Sequence, residues 1–304
     1  MPEEESSEIT EEDLNNWRKA GKIAAEALEY GRTLIKKNAS LLEVSDKVEQ
    51  KISQLGGKPA FPVQLSCDHF AAHYCADEDD KTILDNQVVS LDVGVHVNGA
   101  IGDTALTVDL SGKYTDLVKA SKEALDAATK VLGIGVELRT IGKAIQEVIQ
   151  GYGFSPIKNL SGHGLDLYNI HTSPTIPNFD NGNTTKLEKG QIIAIEPFAT
   201  NGAGMIYETG RANLFALKNP KPVRSPFARE VLQFIGENYK ALPFTTRWLV
   251  KEFGRGKTNL AIRELMNNGI LDQFPPLPEK NKGIVTQAEN TFLIDNKIEV
   301  LTKI

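Results

Sequence analysis

Residues 88–108 read VVSLDVGVHVNGAIGDTALTV, and this stretch decides the fold of the first half of the chain. Its many β-branched residues predict two strands. Asn98-Gly99 predicts the tight turn between them, because a type I′ turn needs positive φ at both central positions. With that turn, Val97 pairs with Ala100, and the register of the whole antiparallel hairpin follows.

Two aspartates fall on one face of this hairpin. Asp92 opposes Ala105, and Asp103 opposes Gly94. The two carboxylates are therefore diagonal neighbours, roughly 7 Å or less apart at Cβ, with small residues between them. Either aspartate alone would be ordinary on a solvent face, but two close carboxylates on a half-buried sheet repel unless a cation lies between them. The pair suggests a metal site without establishing one. The opposite face should join the core: Leu91, Val93, Val95, Val97 and Leu106.

The composition is that of an ordinary globular protein of 304 residues, 40% hydrophobic and 24% charged. A formal net charge of -6 argues against a polyanion-binding protein as a whole, although a local basic face is compatible with it. No apolar run reaches membrane-spanning length, and residues 1–13 are acidic, so we expect a cytoplasmic protein that does not bind membranes. Cys67 and Cys75 are too few for a disulfide framework and should be reduced.

The order of helices and strands predicts an α+β domain, because it lacks regular βαβ alternation. Predicted helices run from Thr10 to about Lys37, from Ser40 to Gly56, from about Tyr114 to Val131 and from Thr140 to Gly151. Further extended segments are expected at residues 61–65, 69–74, 191–198, 282–286 and 288–294. After the Ser161-Gly162-His163-Gly164 motif, the pattern indicates a loop-rich segment.

Residues 219–278 differ from the rest of the chain in their predicted elements, and prolines stand at both ends of this segment. Three short helices followed by a strand are the outline of a winged-helix module. Two interpretations stay open: a DNA-reading insertion, or a packed structural insertion with a solvated charged face. The basic residues that raise the first interpretation are Arg224, Arg229, Lys240, Arg247, Lys251, Arg255, Lys257 and Arg263.

Three further residues could complete a metal site. Glu196 and Glu289 each belong to an apolar strand, where an unpaired carboxylate is costly. His163 stands between two glycines, which leave room for an ion or a substrate, although a histidine in that setting is also typical of a loop. Together with the two aspartates, these residues offer mostly hard oxygen donors and one imidazole. Such a set suits a pair of divalent ions better than a single zinc ion.

Eight motifs carry a resemblance to a known family: Leu91-Asp92-Val93-Gly94, Gly102-Asp103-Thr104, Ser161-Gly162-His163-Gly164, Ile195-Glu196-Pro197-Phe198, Ala288-Glu289-Asn290-Thr291, Phe61-Pro62, Ala71-Ala72-His73-Tyr74 and Tyr168-Asn169-Ile170-His171. In their order and settings, the chain resembles the methionine aminopeptidases of the pita-bread fold over nearly its whole length. The resemblance implies a pseudo-two-fold antiparallel sheet flanked by helices. Residues 1–218 and 279–304 would form the catalytic domain. Residues 219–278 would be the helical, winged-helix-like insertion of type II enzymes, and the short N-terminal part is similar to archaeal members.

The resemblance also implies roles for the residues. Asp92 would chelate one of two divalent ions (Co, Mn, Fe, Ni or Zn), Asp103 and Glu289 would bridge both, and His163 and Glu196 would complete the second. Glu196 would also move the proton. His73 and His171 would act beside the metals as catalytic and substrate-binding histidines, and Phe61 would line the methionine pocket.

The implied activity is removal of the N-terminal methionine from nascent chains whose second residue is small, and the chain's own start, Met1-Pro2, fits that rule. The ribosome is a further expected partner, nucleic acid is not expected, and the default oligomeric state is a monomer. The alternatives are a related Xaa-Pro peptidase and a catalytically silent pita-bread protein that binds nucleic acid or the ribosome through the basic insertion.

Overall fold

The structure is a computed structural model that describes residues 10–303, so the expectation about Met1-Pro2 lies outside the described residues. The helices are α1 (Glu11–Leu34), α2 (Leu41–Gln54), α3 (Thr115–Val131), α4 (Leu138–Gly151), α5 (Pro226–Asn238), α6 (Thr246–Phe253) and α7 (Arg255–Asn267). The strands are β1 (Lys58–Pro59), β2 (Gln64–Cys67), β3 (Phe70–Ala72), β4 (Val88–Val97), β5 (Ala100–Asp109), β6 (Ser155–Pro156), β7 (Ser161–Asp166), β8 (Asn169–Pro177), β9 (Ile192–Ile195), β10 (Phe198–Thr200), β11 (Leu214–Leu217), β12 (Phe244–Thr245), β13 (Leu271–Phe274), β14 (Leu277–Pro278), β15 (Val285–Gln287), β16 (Asn290–Leu293) and β17 (Glu299–Val300).

The β4–β5 hairpin has the predicted register along its whole length. Val97 pairs with Ala100, and the pairing continues to Val88 opposite Asp109. The turn residues Asn98 and Gly99 have φ angles of 52° and 97°, the positive values that the type I′ turn requires. The predicted core face is buried too, with Leu91, Val93 and Val95 fully inside and Val97 and Leu106 packed at the edge. The Asn98-Gly99 turn therefore places Asp92 and Asp103 on the same face of the hairpin, as predicted.

Two similar halves make up the larger part of the molecule, each with a pair of helices packed on antiparallel strands. In the first half, α1 and α2 cover the sheet of β1, β2, β4 and β5. In the second half, α3 and α4 cover the five-stranded sheet ordered β17-β16-β9-β7-β8. Within residues 10–303 the strand pairs are all antiparallel, as predicted.

The helix starts agree with the sequence prediction at three of four positions, since Thr10, Ser40 and Tyr114 are the N-caps of α1, α2 and α3. Thr10 forms a full capping box with Asp13 at the start of α1. Ser40 caps α2 by accepting from the Glu43 backbone, without the reciprocal bond of a full box. The expected start at Thr140 is wrong, because α4 begins two residues earlier at Leu138, without a side-chain cap.

A larger correction concerns the segment after the histidine motif. The chain after residue 164 was expected to be loop-rich, but residues 161–177 form the β7–β8 hairpin, and His163 lies within a strand. A Cβ on Gly162 would lie 2.3 Å from the carbonyl oxygen of Ala194, and a Cβ on Gly164 would lie 2.1 Å from that of Ser173. The glycines therefore serve close approach between strands, where the sequence pattern suggested a loop.

Residues 212–274 build a compact unit with its own hydrophobic core. Helices α5, α6 and α7 pack on a three-stranded sheet ordered β12-β11-β13. The three predicted helices are present as α5, α6 and α7. Strand β11 precedes the proposed boundary at residue 219 but pairs with β13, so the sheet of this unit crosses that boundary.

Two smaller expectations can also be compared with the structure. Cys67 and Cys75 are both free thiols. None of the helices within residues 10–303 has the length and apolar character that crossing a membrane requires.

Candidate active site

All five predicted metal ligands line one cavity of about 700 Å³. Each comes from a different place in the fold. Asp92 lies on β4 and Asp103 on β5, and His163 lies on β7. Glu196 follows β9 directly, and Glu289 directly precedes β16. The cavity thus lies where the two halves of the molecule meet.

The cluster is tight and largely buried. Asp103, His163 and Glu289 each offer one donor atom, and these atoms lie within 4.8 Å of one another. His163 Nε2 is also 3.6 Å from Glu196 Oε1 and 3.8 Å from Asp103 Oδ2. These separations are too long for direct hydrogen bonds but suit atoms that face a common partner.

Burial makes the four carboxylates hard to ionise without a cation. It raises the pKa of Asp92 to about 7, although a hydrogen bond from the Gln287 side chain works in the opposite direction. Burial, and then the charges of neighbouring carboxylates, hold the pKa values of Asp103, Glu196 and Glu289 well above their usual range.

Three of the carboxylate oxygens are buried and lack a hydrogen-bond partner: Asp92 Oδ1, Asp103 Oδ1 and Glu289 Oε1. Buried acceptors are almost always paired, so these atoms call for a positive partner. Hard oxygen donors with one imidazole match the preferences of divalent ions. The residues present therefore fit a metal centre.

Hydrogen bonds join the two halves beside the cluster. Thr291 Oγ1 accepts from the Asp103 backbone nitrogen and donates to the Asp103 carbonyl, both at 2.8 Å. Thr104 Oγ1 donates to the Glu289 carbonyl at 2.8 Å, and Ala105 and Glu289 exchange backbone hydrogen bonds. This network fixes Asp103 and Glu289 side by side.

Gln287 is a site residue that the sequence interpretation missed. Its Nε2 lies 3.3 Å from Glu289 Oε2 and 3.5 Å from Glu196 Oε2, so the amide can donate to both carboxylates. A signal was available, because residues two apart in an extended chain point to the same face, as Gln287 and Glu289 do.

The two predicted substrate histidines also line the cavity. The rings of His171 and His163 are 4.5 Å apart in an edge-to-face arrangement. His73 has a φ of 63°, and its backbone nitrogen donates to Gln64 Oε1 at 2.5 Å. Its Nδ1 lies 3.2 Å from the carbonyl oxygen of Pro275. Contacts from two segments therefore hold His73 in an uncommon backbone conformation.

Burial keeps these histidines neutral. It lowers the pKa of His73 to about 4 and that of His163 to about 3, and it lowers the pKa of His171 as well. A neutral imidazole can ligate a metal or accept a hydrogen bond through one nitrogen while donating through the other.

An apolar wall lies beside the carboxylate cluster. Phe61 is buried against Gly94, where an added Cβ would lie 2.1 Å from the ring. Leu214, Pro243 and Phe274, from the unit at residues 212–274, also line the cavity. No motif predicted these three residues, because only the tertiary fold brings them to the cavity.

This combination of fold and buried acidic cluster defines a class of metal-dependent peptidase. A family model for metallopeptidase family M24 matches residues 15–228. A methionine aminopeptidase from Archaeoglobus fulgidus is 45% identical over 278 residues, which are 91% of this chain and 94% of that protein. The chain therefore belongs to the methionine aminopeptidases of family M24.

Solved structures confirm the pita-bread α+β fold. A methionine aminopeptidase from Thermotoga maritima has a TM-score of 0.72 at 22% identity, with 98% of this chain and 99% of that one covered. A structure described as a thermophilic Arx1 has a TM-score of 0.84 at 16% identity, with 96% and 91% covered. At these identities the likeness concerns the fold alone.

Proposed function

We propose that this methionine aminopeptidase removes the initiator methionine from nascent proteins and peptides whose second residue is small, and that it does so with two divalent ions. The observation that carries the proposal is a buried group of four carboxylates and one histidine beside an apolar pocket. Neither feature alone would specify the reaction, but together they offer metal ligands next to room for an unbranched apolar side chain.

The five ligands divide between two ions in this proposal. Asp92 would hold one ion, His163 and Glu196 would hold the second, and Asp103 and Glu289 would be shared between them. When bound, such ions polarise the scissile carbonyl and lower the pKa of water. Their identity in the cell, whether manganese, iron, cobalt, nickel or zinc, depends on availability as much as on these ligands.

Glu196 transfers a proton from the attacking water to the departing amine. Its carboxylate lies beside His163 within the cavity, where it can take a proton from the attacking water. The same group then returns the proton to the departing amine, as a general base that becomes a general acid.

The histidines direct the substrate amide. His171 donates a hydrogen bond to the oxyanion that develops on the scissile carbonyl. His73 contacts the leaving side of the peptide bond, and its contact with Pro275 orients the ring for that role. Since both pKa values are lowered, each imidazole works as a neutral hydrogen-bonding group at pH 7.

Two features set specificity. Phe61 offers an aromatic surface to the methionine thioether, a favourable contact for sulfur. The second residue of the substrate lies against the ligand cluster and His73, so only a small side chain fits there.

The insertion at residues 219–278 is proposed to be the winged-helix-like subdomain of type II enzymes, with a role in the pocket wall. Four of its eight singled-out basic residues pair with carboxylates: Arg247, Lys251, Arg255 and Lys257. This pairing weakens the interpretation as a nucleic-acid surface. Ribosome contact, a monomeric state and a cytoplasmic location stay predictions.

The test is peptide hydrolysis with and without metal. The purified protein is dialysed against chelator, reloaded with cobalt or manganese, and offered Met-Ala-Ser and Xaa-Pro dipeptides. We expect methionine release from the first only, and only after reloading. Preference for the proline dipeptides would favour the Xaa-Pro peptidase, and tight, salt-dependent duplex binding without hydrolysis would favour the silent, nucleic-acid-binding alternative.

A matched pair of variants tests the proton-transfer role. Glu196→Gln should keep the fold and lower kcat by about 10² or more. Glu147→Gln makes the same chemical change at a side chain that is 66% exposed and should leave kcat unchanged. Near-normal turnover in Glu196→Gln would remove Glu196 from this role.

A further inference from the structure

The turn of the β7–β8 hairpin packs on the turn of the β4–β5 hairpin. The backbone nitrogen of Tyr168 donates to the carbonyl of Gly99 at 2.9 Å. The Tyr168 ring covers Gly99 so closely that an added Cβ would lie 2.4 Å from it. Tyr168 also has a φ of 57°, which is uncommon for an aromatic residue. One hairpin carries Asp92 and Asp103 and the other carries His163 and His171, so this contact joins the two halves of the site.

A lysine from the insertion holds the same ring from another side. The Nζ of Lys240 lies 3.6 Å from the centroid of the Tyr168 ring, a close cation–π contact. Lys240 lies two residues after the last residue of α5 and has a φ of 55°, and its backbone nitrogen donates to the carbonyl of Ile235. The His96 ring, 5.5 Å from that of Tyr168, packs on it as well. Tyr168 thus contacts β4, the β4–β5 turn and the insertion together.

The β7–β8 hairpin needs such support because its own pairing is irregular. The register shifts twice, between Gly162 and Gly164 and again between Gly164 and Asp166. Each shift replaces ladder hydrogen bonds with a local irregularity next to His163. A contact at the turn would therefore limit how far the two histidine-bearing strands can slide or twist.

We propose that Tyr168 is a positioning residue for His163 and His171, and that Lys240 of the insertion keeps it in place. The proposal rests on the proposed function only in assigning those two histidines to the active site. In this proposal the insertion has a second role besides lining the pocket. Through Lys240, it stabilises the β7–β8 hairpin from outside the cavity.

The first experiment observes the histidines directly, in the metal-free protein. The sequence contains five histidines, so ¹⁵N-histidine labelling gives a small set of imidazole NMR signals. In Lys240→Gln we expect the signals of His163 and His171 to move, together with that of His96, while His69 stays as an internal reference. Lys240→Arg keeps the cation and should restore the original positions.

A matched control comes from the insertion itself. Lys257 lies 4.7 Å from the centroid of the Phe253 ring, a cation–π contact that does not touch the hairpin. Lys257→Gln should leave all five histidine signals in place. If Lys240→Gln moves only the His96 signal, or if Lys257→Gln moves those of His163 and His171 equally, the proposal is overturned.

Kinetics of the metal-loaded protein give the second readout. Tyr168→Asn tolerates the positive φ but loses the ring, and it should lower kcat by about 3- to 10-fold with little change in KM for methionyl peptides. Tyr168→Phe keeps the ring and should retain wild-type kcat. Equal loss in both variants, or a change in KM alone, would contradict a positioning role. Absence of methionine release by the wild type would reject the proposed function but leave the NMR result to decide this inference.

Discussion

Removing one charge from the carboxylate cluster should stabilise the metal-free protein. Asp92→Asn is the sharpest substitution, because asparagine has nearly the same shape and the pKa of Asp92 is raised to about 7 by burial. One of its oxygens, Oδ1, is buried without a hydrogen-bond partner. The negative charge therefore opposes folding whenever no cation is present.

The sign and size of the stability change in Asp92→Asn follow from proton linkage. In the unfolded chain this carboxyl loses its proton near pH 3.8, but in the folded protein it does so only at about pH 7. The folded protein therefore loses stability relative to the unfolded chain as the pH rises from 3.8 to about 7, and above that pH the full cost of the buried charge is present. At 1.36 kcal/mol per pH unit, the upper bound is about 4 kcal/mol. Because part of the side chain faces the cavity, where water screens the charge, we expect about 2–4 kcal/mol.

The assay is urea unfolding of chelator-treated protein at two pH values. At pH 8, metal-free Asp92→Asn should be more stable than the wild type by that amount. At pH 4.5 the wild-type carboxyl carries its proton, so the difference should nearly vanish. With manganese or cobalt added, the order should reverse, because the wild type gains a bound ion and the variant lacks one of its ligands.

Asp109, on the same hairpin, is the matched control. Burial raises its pKa, but hydrogen bonds from Ser111, Tyr114 and Gly112 outweigh that effect, so the net pKa is lowered. Its charge therefore stabilises the fold at neutral pH, and Asp109→Asn should destabilise the protein at pH 8. If metal-free Asp92→Asn is no more stable than the wild type at pH 8, the account of the cluster as a repulsive group is refuted.

Two further predictions address the pocket and the attachment of the insertion. Gly94→Ala pushes a Cβ into the Phe61 ring, so KM for methionyl peptides should rise by about tenfold with a smaller change in kcat, measured by steady-state kinetics. Arg247→Met leaves Glu49, whose side chain is only 11% exposed, without its buried partner, and should cost about 3–5 kcal/mol in urea unfolding. Lys251→Met, at a side chain that is 61% exposed, should cost less than about 1 kcal/mol.

The parts of the site that the sequence predicted best are those set by local chemistry. Asn98-Gly99 fixes the register of β4 and β5, and that register alone brings Asp92 and Asp103 to one face. The grouping of these aspartates with His163, Glu196 and Glu289 was not a local inference. It was proposed from the cost of unpaired carboxylates in apolar strands and then from a resemblance of motifs, because no spacing rule brings residues from distant strands together.

The errors have a common physical cause. The glycines around His163 were interpreted as leaving room for an ion or a substrate, in a setting also typical of a loop, yet they lie in a strand that passes very close to its neighbours. Glycine serves loops and close approaches equally well, so the sequence cannot separate the two. The pocket residues Leu214, Pro243 and Phe274 carry no motif, and they reach the cavity only through tertiary packing.

Asp103 and Glu289 belong both to the ligand cluster and to the hydrogen-bonded contact between the two halves of the molecule. Facing the cavity, the carboxylates of Asp103 and Glu289 repel each other. Along the backbone, the hydrogen bonds of Thr104, Ala105 and Thr291 tie the same two residues together. At about 1 kcal/mol net for each bond, these five contacts are of the same order as the penalty for one buried charge. These hydrogen bonds can therefore hold Asp103 and Glu289 close to each other before any ion binds. The site is then preorganised for an ion, and binding of the ion relieves the repulsion between the carboxylates.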